Sequence, residues 1–282
     1  MKYKKLYNNI KIPPIGLGTG GIGRLLDTII FKNRKNVNFL KQAISLGVKH
    51  IDTAEIYGNG CCERLIGKAI KTFNRESLFI TSKVSPQNLG YKDLINSAKK
   101  SLQRLRTNYI DLYLIHGYNK EIPMHETMKA MDYLVFNGLA RFIGVSNFSV
   151  EELKEAQDNS ENKISANQIE YNLLVRDYGK FTKNMESRII PYCQKNKIII
   201  IAYRSLAKGK LARPGIKILD EMSEKYKKTQ SQIAIKWLIS KYNVVTIPKT
   251  LSLEHLKENL DAAEKWVLDR DDMLTLDNGL KM

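Results

Sequence analysis

The segment Ile110-Asp-Leu-Tyr-Leu-Ile-His116 is an apolar run, rich in branched and aromatic side chains, of the kind that forms a buried strand. An amphipathic stretch with 3.6-residue periodicity follows it at 125–137. The same pairing recurs along the chain, which predicts eight βα units. The predicted strands are residues 15–17, 50–53, 78–83, 110–116, 142–146, 166–171, 198–203 and 244–248. The predicted helices are residues 37–46, 62–71, 92–105, 125–137, 149–158, 183–196, 229–240 and 252–263.

Three segments stand outside this series. A β-hairpin with its turn at Asn8-Asn9 precedes it, residues 206–228 form a loop-plus-helix excursion, and a helix over 269–278 closes the chain. No Pro-, Gly- or Ser-rich linker interrupts the units, and eight parallel strands can close and leave no edge. The sequence therefore predicts a single α/β domain over residues 1–282, a (β/α)8 TIM barrel with an N-terminal β-hairpin and an extra C-terminal helix.

Two helix starts carry capping signals. Ser149 with Glu152 three residues later matches a capping box, and Ser252 with His255 matches only half of one. We therefore predict that helices begin at these two serines.

The composition narrows the function. The 282 residues are 43% hydrophobic and 27% charged, as in globular proteins, and no apolar run approaches the roughly 20 residues that cross a bilayer. We expect a cytoplasmic protein without a membrane partner. The net charge of +17 comes from cations scattered along the chain, which predicts no nucleic-acid partner but suits an anionic small molecule.

The cysteines indicate neither a disulfide framework nor a metal site. Cys61, Cys62 and Cys193 are odd in number and lack the C-x-x-C spacing of metal and redox sites. Cys61 and Cys62 are either redox-sensitive or small apolar residues at a helix start, and we favour the second reading.

Polar residues at the predicted strand ends form the candidate site, because the carboxyl ends of barrel strands face one pocket. These residues are Asp52, Lys83, His116, Ser146, Asn147, Gln168 and Tyr203. Tyr57 lies in the loop after Asp52 and can reach the same mouth. Alone, each could be a turn or packing residue, but their recurrence at successive strands favours a shared site.

This set suits the reduction of a carbonyl group. A Tyr hydroxyl has a pKa near 10, and an ammonium beside it stabilises the phenolate and makes Tyr57 a better acid. Asp52 can hold Lys83, while His116 can donate a hydrogen bond to the carbonyl oxygen. The hydride must come from a cofactor. Ser205, Leu206, Lys208, Gly209, Lys249 and Thr250 follow strands seven and eight, where barrels bind phosphates.

The chain resembles the aldo-keto reductase family from about residue 12 to residue 276. The motifs that carry the resemblance are Ile51-Asp-Thr-Ala-Glu-Ile-Tyr-Gly, Thr81-Ser-Lys, Leu114-Ile-His, Gly144-Val-Ser-Asn-Phe, Asn167-Gln-Ile-Glu-Tyr-Asn and Ile247-Pro-Lys-Thr. The resemblance implies an NADP-dependent enzyme with Tyr57 as general acid, Lys83 and Asp52 as its pKa-lowering pair, and His116 as the carbonyl-orienting residue.

The resemblance also implies how the cofactor binds. Ser146, Asn147 and Gln168 would hydrogen-bond the nicotinamide carboxamide, and Tyr203 would stack on the ring. Lys249 would contact the 2′-phosphate of NADPH, with Ser252 near it. Glu258 and Asn259 would lie at the adenine end.

Three positions depart from the family pattern. Many relatives carry Trp where this chain has Gly20 and Trp-Pro where it has Gly117-Tyr118, so we predict a wider and less aromatic substrate pocket lined by Gly20, Tyr57, His116 and Tyr118. His255 replaces a frequent Arg. NADPH is therefore the expected cofactor, with NADH possible.

Two other functions remain open at this level. The chain could be a nicotinamide-nucleotide-binding regulatory subunit with little turnover, or a phosphate-handling barrel enzyme such as an isomerase. The intact tetrad favours the reductase, whose substrate would be a small aldehyde or ketone. We expect a monomer or a weak oligomer; the sequence does not identify the physiological carbonyl.

Overall fold

The computed structural model describes residues 3–5, 11–21 and 30–280. Within them the structure has ten strands and ten α-helices; from β3 to β10 each strand is followed by one α-helix, except that both α7 and α8 follow β9 and both α9 and α10 follow β10. The strands are β1 (Lys4–Lys5), β2 (Lys11–Ile12), β3 (Leu17–Gly18), β4 (His50–Asp52), β5 (Phe79–Val84), β6 (Ile110–Ile115), β7 (Ala140–Ser146), β8 (Ile164–Glu170), β9 (Ile199–Tyr203) and β10 (Val244–Thr246). The helices are α1 (Ile30–Ser45), α2 (Cys61–Ile70), α3 (Tyr91–Leu105), α4 (Met124–Phe136), α5 (Val150–Asp158), α6 (Ile190–Lys195), α7 (Lys217–Tyr226), α8 (Gln230–Ser240), α9 (Leu253–Asp261) and α10 (Arg270–Gly279).

Strands β3 to β10 form one sheet in chain order. Each strand pairs in parallel with the next where the register is resolved, for example Lys83 with Leu114 between β5 and β6. Just before β3, Ile15 bridges in parallel to Thr246 of β10, and the Gly16 N–H donates to the Thr246 carbonyl at 2.8 Å. The sheet thus pairs its first strand segment with its last, which is the topology of a (β/α)8 barrel and confirms the predicted fold class.

The chain forms two compact units. One comprises Leu17–Asn167, and the other comprises Met1–Gly16 together with Gln168–Met282. The single domain over 1–282 stays a prediction. The two-stranded antiparallel pairing of β1 with β2 confirms the N-terminal hairpin, whose predicted turn at Asn8-Asn9 lies outside the described residues.

The burial of the strands explains why their sequences are continuous apolar runs. Every residue of β5, β6 and β8 is buried, because parallel strands are covered on both faces. Burying each Ile or Leu side chain is worth about 1.5–3 kcal/mol. The polar residues of these strands are therefore exceptions that need a partner or a role.

Most predicted helices begin and end within two residues of the observed ones, and two differ in ways that have local causes. Helix α1 begins at Ile30 rather than at the predicted residue 37. The prediction missed its first turns because residues 32–36 are Lys, Asn and Arg and show no apolar periodicity. The segment predicted as one helix over 183–196 opens as a π-helical turn at Met185–Ile189 and continues as α6. Pro191 cannot donate the backbone hydrogen bond that a continuous α-helix requires there.

The capping predictions are confirmed. The Ser149 hydroxyl accepts from the Glu152 N–H, and the Glu152 carboxylate accepts from the Ser149 N–H at 2.7 Å, which is a complete capping box. Ser252 accepts from the His255 N–H without the reciprocal bond among the contacts described. A second full box, Thr229 with Gln232, begins α8 and was not predicted.

We expect Ser149→Ala to lower the free energy of unfolding by about 1 kcal/mol, because the Glu152 N–H in the first turn of α5 loses its hydroxyl acceptor. Ser149→Thr keeps a hydroxyl and is the matched control, with a smaller loss. Urea unfolding followed by circular dichroism measures both, and equal stability of the alanine variant and the wild type would contradict the capping role.

Candidate active site

The loop between β4 and α2 places Tyr57. Strand β4 ends at Asp52, and the Tyr57 N–H donates to the Ala54 carbonyl at 3.1 Å in a tight turn. Gly58, Asn59 and Gly60 then all adopt left-handed backbone angles, with φ of 57°, 51° and 76°. This run reverses the chain into α2, and glycine accommodates such angles without the usual Cβ strain. Tyr57 is therefore held next to the strand ends rather than carried on an open loop.

Beneath Tyr57 lies a buried ion pair. The Lys83 Nζ donates to Asp52 Oδ1 at 2.6 Å and to the Thr53 carbonyl at 2.8 Å, and the exposed fractions of the two side chains are 0% and 1%. Burial by itself lowers the pKa of Lys83, but the charges of Asp52 and Tyr57 outweigh it and raise the net pKa above its ordinary value. Lys83 is therefore a permanent buried cation.

Two of the predicted residues lie against the Tyr57 ring. The Lys83 Nζ lies 5.1 Å from the ring centroid, and the His116 ring packs edge-on against it with centroids 5.6 Å apart. Burial raises the pKa of Tyr57, the Lys83 charge opposes that rise, and the net pKa lies above the ordinary value. Lys83 thus acts in the predicted direction, but the predicted net lowering is not what this environment produces, because desolvation of the phenolate is the larger effect.

His116 is a neutral imidazole. It follows β6, and its backbone N–H donates to the Val84 carbonyl at 2.9 Å. Burial, with the nearby Lys83 charge, lowers the pKa of His116 to about 3. Its Nδ1 is buried with no hydrogen-bond partner in the described part of the chain. A neutral ring with one N–H fits a carbonyl oxygen as hydrogen-bond acceptor.

Glu55 is a site residue to which the sequence analysis assigned no role. Its Oε1 accepts from the Ser85 N–H at 2.7 Å, the Ser85 hydroxyl at 2.7 Å and the Asn88 amide at 3.0 Å. This carboxylate ties the Tyr57 loop to the loop after β5. The position of Glu55 inside the Asp-Thr-Ala-Glu-Ile-Tyr motif is the sequence feature that could have marked it as a site residue. The motif cannot indicate its partner, because Ser85 lies 30 residues away along the chain.

The end of β7 carries Ser146 and Asn147. Asn147 is left-handed at φ 63°, and its amide donates to the Ser146 hydroxyl at 3.0 Å and to the His116 carbonyl at 3.5 Å. The structure therefore joins this pair to the His116 segment, as predicted for one pocket. Tyr118, in contrast, is more than one-third exposed and its hydroxyl contacts Glu155 at 3.4 Å, so it lies towards α5.

Gly20 faces Tyr57. A Cβ built on Gly20 would lie 3.4 Å from the Tyr57 ring, in ordinary van der Waals contact. A larger side chain at this position would cover the ring, so the glycine keeps it accessible from that side. The wider substrate pocket stays a prediction.

The second unit contains the remaining predicted residues. Gln168 is buried in β8, and Tyr203 is half-buried at the end of β9. Ser205 is also buried, and its hydroxyl bonds with that of Thr246. Ala207, Lys208 and Gly209 are left-handed in succession. The Ala207 and Gly209 N–H groups donate to the Arg204 and Leu206 carbonyls at 2.7 and 2.8 Å, so this turn is closed by its own backbone hydrogen bonds.

The loop after β10 leads into α9. Lys249 is exposed, whereas Thr250 is buried and its hydroxyl accepts from the Ser252 N–H at 3.0 Å. Ser252 caps α9, and the His255 side chain is exposed. Glu258 bonds the Thr229 hydroxyl and Asn259 is buried, so both are already engaged or enclosed within this unit.

Cys62 is buried at the start of α2, and its thiol donates to the Thr19 carbonyl at 3.4 Å, which fits a structural residue. Among the residues that the structure describes, no helix has the length and apolar character needed to cross a bilayer.

The site combines a Tyr, a buried Lys–Asp pair and a neutral His at the strand ends of a barrel. This fold and this set of residues define the class of carbonyl oxidoreductases. The family model described as "Aldo/keto reductase family" matches residues 14–280. The chain therefore belongs to the aldo-keto reductase family, which confirms the resemblance seen in the sequence.

Individual proteins similar to this chain support the assignment to the aldo-keto reductase family. The chain is 32% identical over 273 residues to a methylglyoxal reductase of Escherichia coli (strain K12), covering 93% of this chain and 92% of that protein. It is 34% identical to a glyoxal reductase of Bacillus subtilis (strain 168), covering 97% and 91%. Among solved structures, a thermostable aldo-keto reductase in complex with the inhibitor epalrestat superposes with a TM-score of 0.90 at 44% identity, covering 98% of this chain and 99% of the other. An aldo/keto reductase from Klebsiella pneumoniae in complex with NADP and acetate gives a TM-score of 0.86 at 31% identity, covering 99% and 95%.

We expect Lys83→Met, combined with Asp52→Asn to avoid an uncompensated buried carboxylate, to raise the pKa of Tyr57 further. The reason is that the cation opposing the burial effect is lost. Ultraviolet difference titration against the same background carrying Tyr57→Phe isolates this tyrosine. At a fixed alkaline pH the ionised fraction of Tyr57 should be smaller than in the wild type; a larger fraction would show that Lys83 does not stabilise the phenolate.

Proposed function

We propose that this enzyme reduces an aldehyde or ketone to an alcohol with NADPH, and that Tyr57 donates the proton. The observation that carries the proposal is the buried Lys83–Asp52 pair, 2.6 Å apart, beneath a Tyr57 ring that also packs against neutral His116. Charged groups of this kind cost several kcal/mol each to bury. Their presence is explained if they serve the chemistry at the Tyr57 hydroxyl.

Each residue of the tetrad has a distinct role in this reaction. The nicotinamide, when bound, supplies the hydride that the carbonyl carbon receives. Tyr57 gives its proton to the carbonyl oxygen as negative charge develops there, and Lys83 stabilises the phenolate that remains. His116 donates a hydrogen bond that orients the carbonyl. Asp52 keeps Lys83 charged and fixed in place.

The residues fit a nicotinamide dinucleotide phosphate. Ser146 and Asn147 present a hydroxyl and an amide that match a carboxamide, and the loop after β9 carries Lys208, whose ammonium suits phosphates. The exposed Lys249 and the N-terminal end of α9 can hold the 2′-phosphate. In this scheme Gln168 binds the carboxamide, Tyr203 stacks on the ring, and Glu258 and Asn259 lie at the adenine end. The relatives support this, since one solved structure contains NADP and another contains NADPH.

The substrates that we propose are small aldehydes, with 1,2-dicarbonyl compounds first. Two of the relatives are named for the reduction of methylglyoxal and glyoxal. Gly20 leaves one side of the Tyr57 ring uncovered, so larger aldehydes are also admitted. Oxidation of NADPH in the presence of a graded panel of aldehydes tests the proposal. A protein that binds NADPH and turns over no carbonyl would favour the regulatory-subunit alternative.

We expect Tyr57→Phe to reduce the rate of carbonyl reduction by at least about 100-fold, since general acid catalysis contributes typically 10²–10⁴. The ring keeps its packing against His116, so NADPH affinity should stay within about twofold of the wild type by the same reasoning. Stopped-flow or steady-state NADPH oxidation gives the rate, and fluorescence titration gives the affinity. Wild-type turnover in the Phe variant would exclude Tyr57 as the proton donor.

Cofactor choice tests the phosphate site. Lys249→Ala should weaken NADPH binding by about tenfold, the typical worth of a charge-assisted hydrogen bond, and leave NADH unchanged. His255→Arg should strengthen NADPH binding alone, because a guanidinium can make a bidentate contact with a phosphate and an imidazole cannot. Dissociation constants for both nucleotides decide the matter. Equal affinity of the wild type for NADH and NADPH would place the 2′-phosphate elsewhere.

A further inference from the structure

Strand β8 contains a buried amide that the reaction scheme does not use. Asn167 is fully buried in the interior of the strand. Asparagine is depleted in strands, and burying an amide costs free energy unless it is hydrogen-bonded. A buried Asn at this position therefore implies specific partners.

Both partners belong to one residue. The Asn167 Nδ2 donates to the Phe148 carbonyl at 2.9 Å, and the Phe148 N–H donates to the Asn167 Oδ1 at 3.4 Å. The two backbones approach closely here, since a Cβ added to Gly144 of β7 would lie only 2.6 Å from the Ala166 carbonyl. The short Asn side chain can therefore span from β8 to the chain that continues β7.

Phe148 immediately follows Ser146 and Asn147. Strand β7 ends at Ser146, so sheet hydrogen bonds no longer fix the backbone beyond it. Asn147 is held left-handed at φ 63°, an uncommon conformation for a residue other than glycine. The Asn167 amide replaces the sheet pairing at Phe148 and fixes this turn between β7 and the cap residue Ser149.

We propose that Asn167 is a positioning residue for the nicotinamide end of the cofactor. It acts through the Phe148 backbone to hold Ser146 and Asn147 in the arrangement that receives the carboxamide. The proposal rests on the proposed function, which assigns that ligand to Ser146 and Asn147. Preorganised groups bind more tightly because no ordering cost remains at the moment of binding.

The test separates the two ends of the cofactor. Adenosine 2′,5′-bisphosphate carries the adenine and 2′-phosphate but no nicotinamide. Its dissociation constant and that of NADPH are measured for the wild type, Asn167→Ala and Asn167→Asp, the last of which keeps the acceptor and loses the donor. Ser165→Ala is the matched control, since it removes another buried polar group from β8 whose hydroxyl contacts only the nearby Lys163 carbonyl among the bonds described.

We expect both Asn167 variants to bind NADPH about tenfold more weakly than the wild type, which is the typical effect of losing one hydrogen bond. Their dissociation constants for the bisphosphate should stay within about twofold of the wild-type value. Ser165→Ala should change neither constant. NADPH affinity within twofold of the wild type in a folded Asn167 variant, or equal losses for both ligands, would overturn the positioning role. A wild type that binds neither ligand would overturn the proposed function itself.

A measurement on the wild type covers the case in which the variants do not fold. Hydrogen exchange of the Phe148 amide should be slow in the free protein and slower with NADPH, and the bisphosphate should not add protection. Exchange at the unprotected rate in the free protein would show that Asn167 does not hold this turn.

Discussion

The site depends on one buried ion pair. Lys83 and Asp52 are both removed from water and bond each other, and the Lys83 ammonium also donates to the Thr53 carbonyl. Such a pair contributes little net stability, because desolvation offsets much of the attraction, yet loss of either partner leaves an uncompensated charge. The pair places a fixed positive charge under Tyr57, in an environment where burial alone would make the phenolate costly.

The same environment decides the state of His116. Burial and the Lys83 charge keep the ring neutral, with a pKa of about 3. One buried cation therefore has two effects: it stabilises negative charge on Tyr57 and disfavours positive charge on His116. An acid and a neutral hydrogen-bond donor can then act side by side at neutral pH, which a pair of charged groups could not do as well.

Side chains that take no part in the proposed reaction form hydrogen bonds that connect the loops carrying these groups. The Glu55 carboxylate accepts hydrogen bonds from Ser85 and Asn88 and so connects the Tyr57 loop to the loop after β5. The Asn167 amide makes two hydrogen bonds with the backbone of Phe148, which directly follows Ser146 and Asn147. Polar side chains on rigid strand ends can be placed to within fractions of an ångström only if such supports lock the intervening turns. Glu55 and Asn167 each make two or more hydrogen bonds to a neighbouring loop.

The sequence alone determined the order of strands and helices and the capping box at Ser149, and it selected the four residues that we propose to be reactive. Local periodicity and the rule that strand ends share one pocket are sufficient for these. The tertiary structure decided the net pKa of Tyr57, since the balance between burial and the Lys83 charge depends on how deeply each group is enclosed. It also decided the hydrogen-bond partners of Glu55 and Asn167, which are Ser85 and Phe148, 30 and 19 residues away along the chain, and the π-helical turn before α6. Sequence patterns report which side of an element is buried, but hydrogen-bond partners and desolvation follow only from the packing of elements that are distant along the chain.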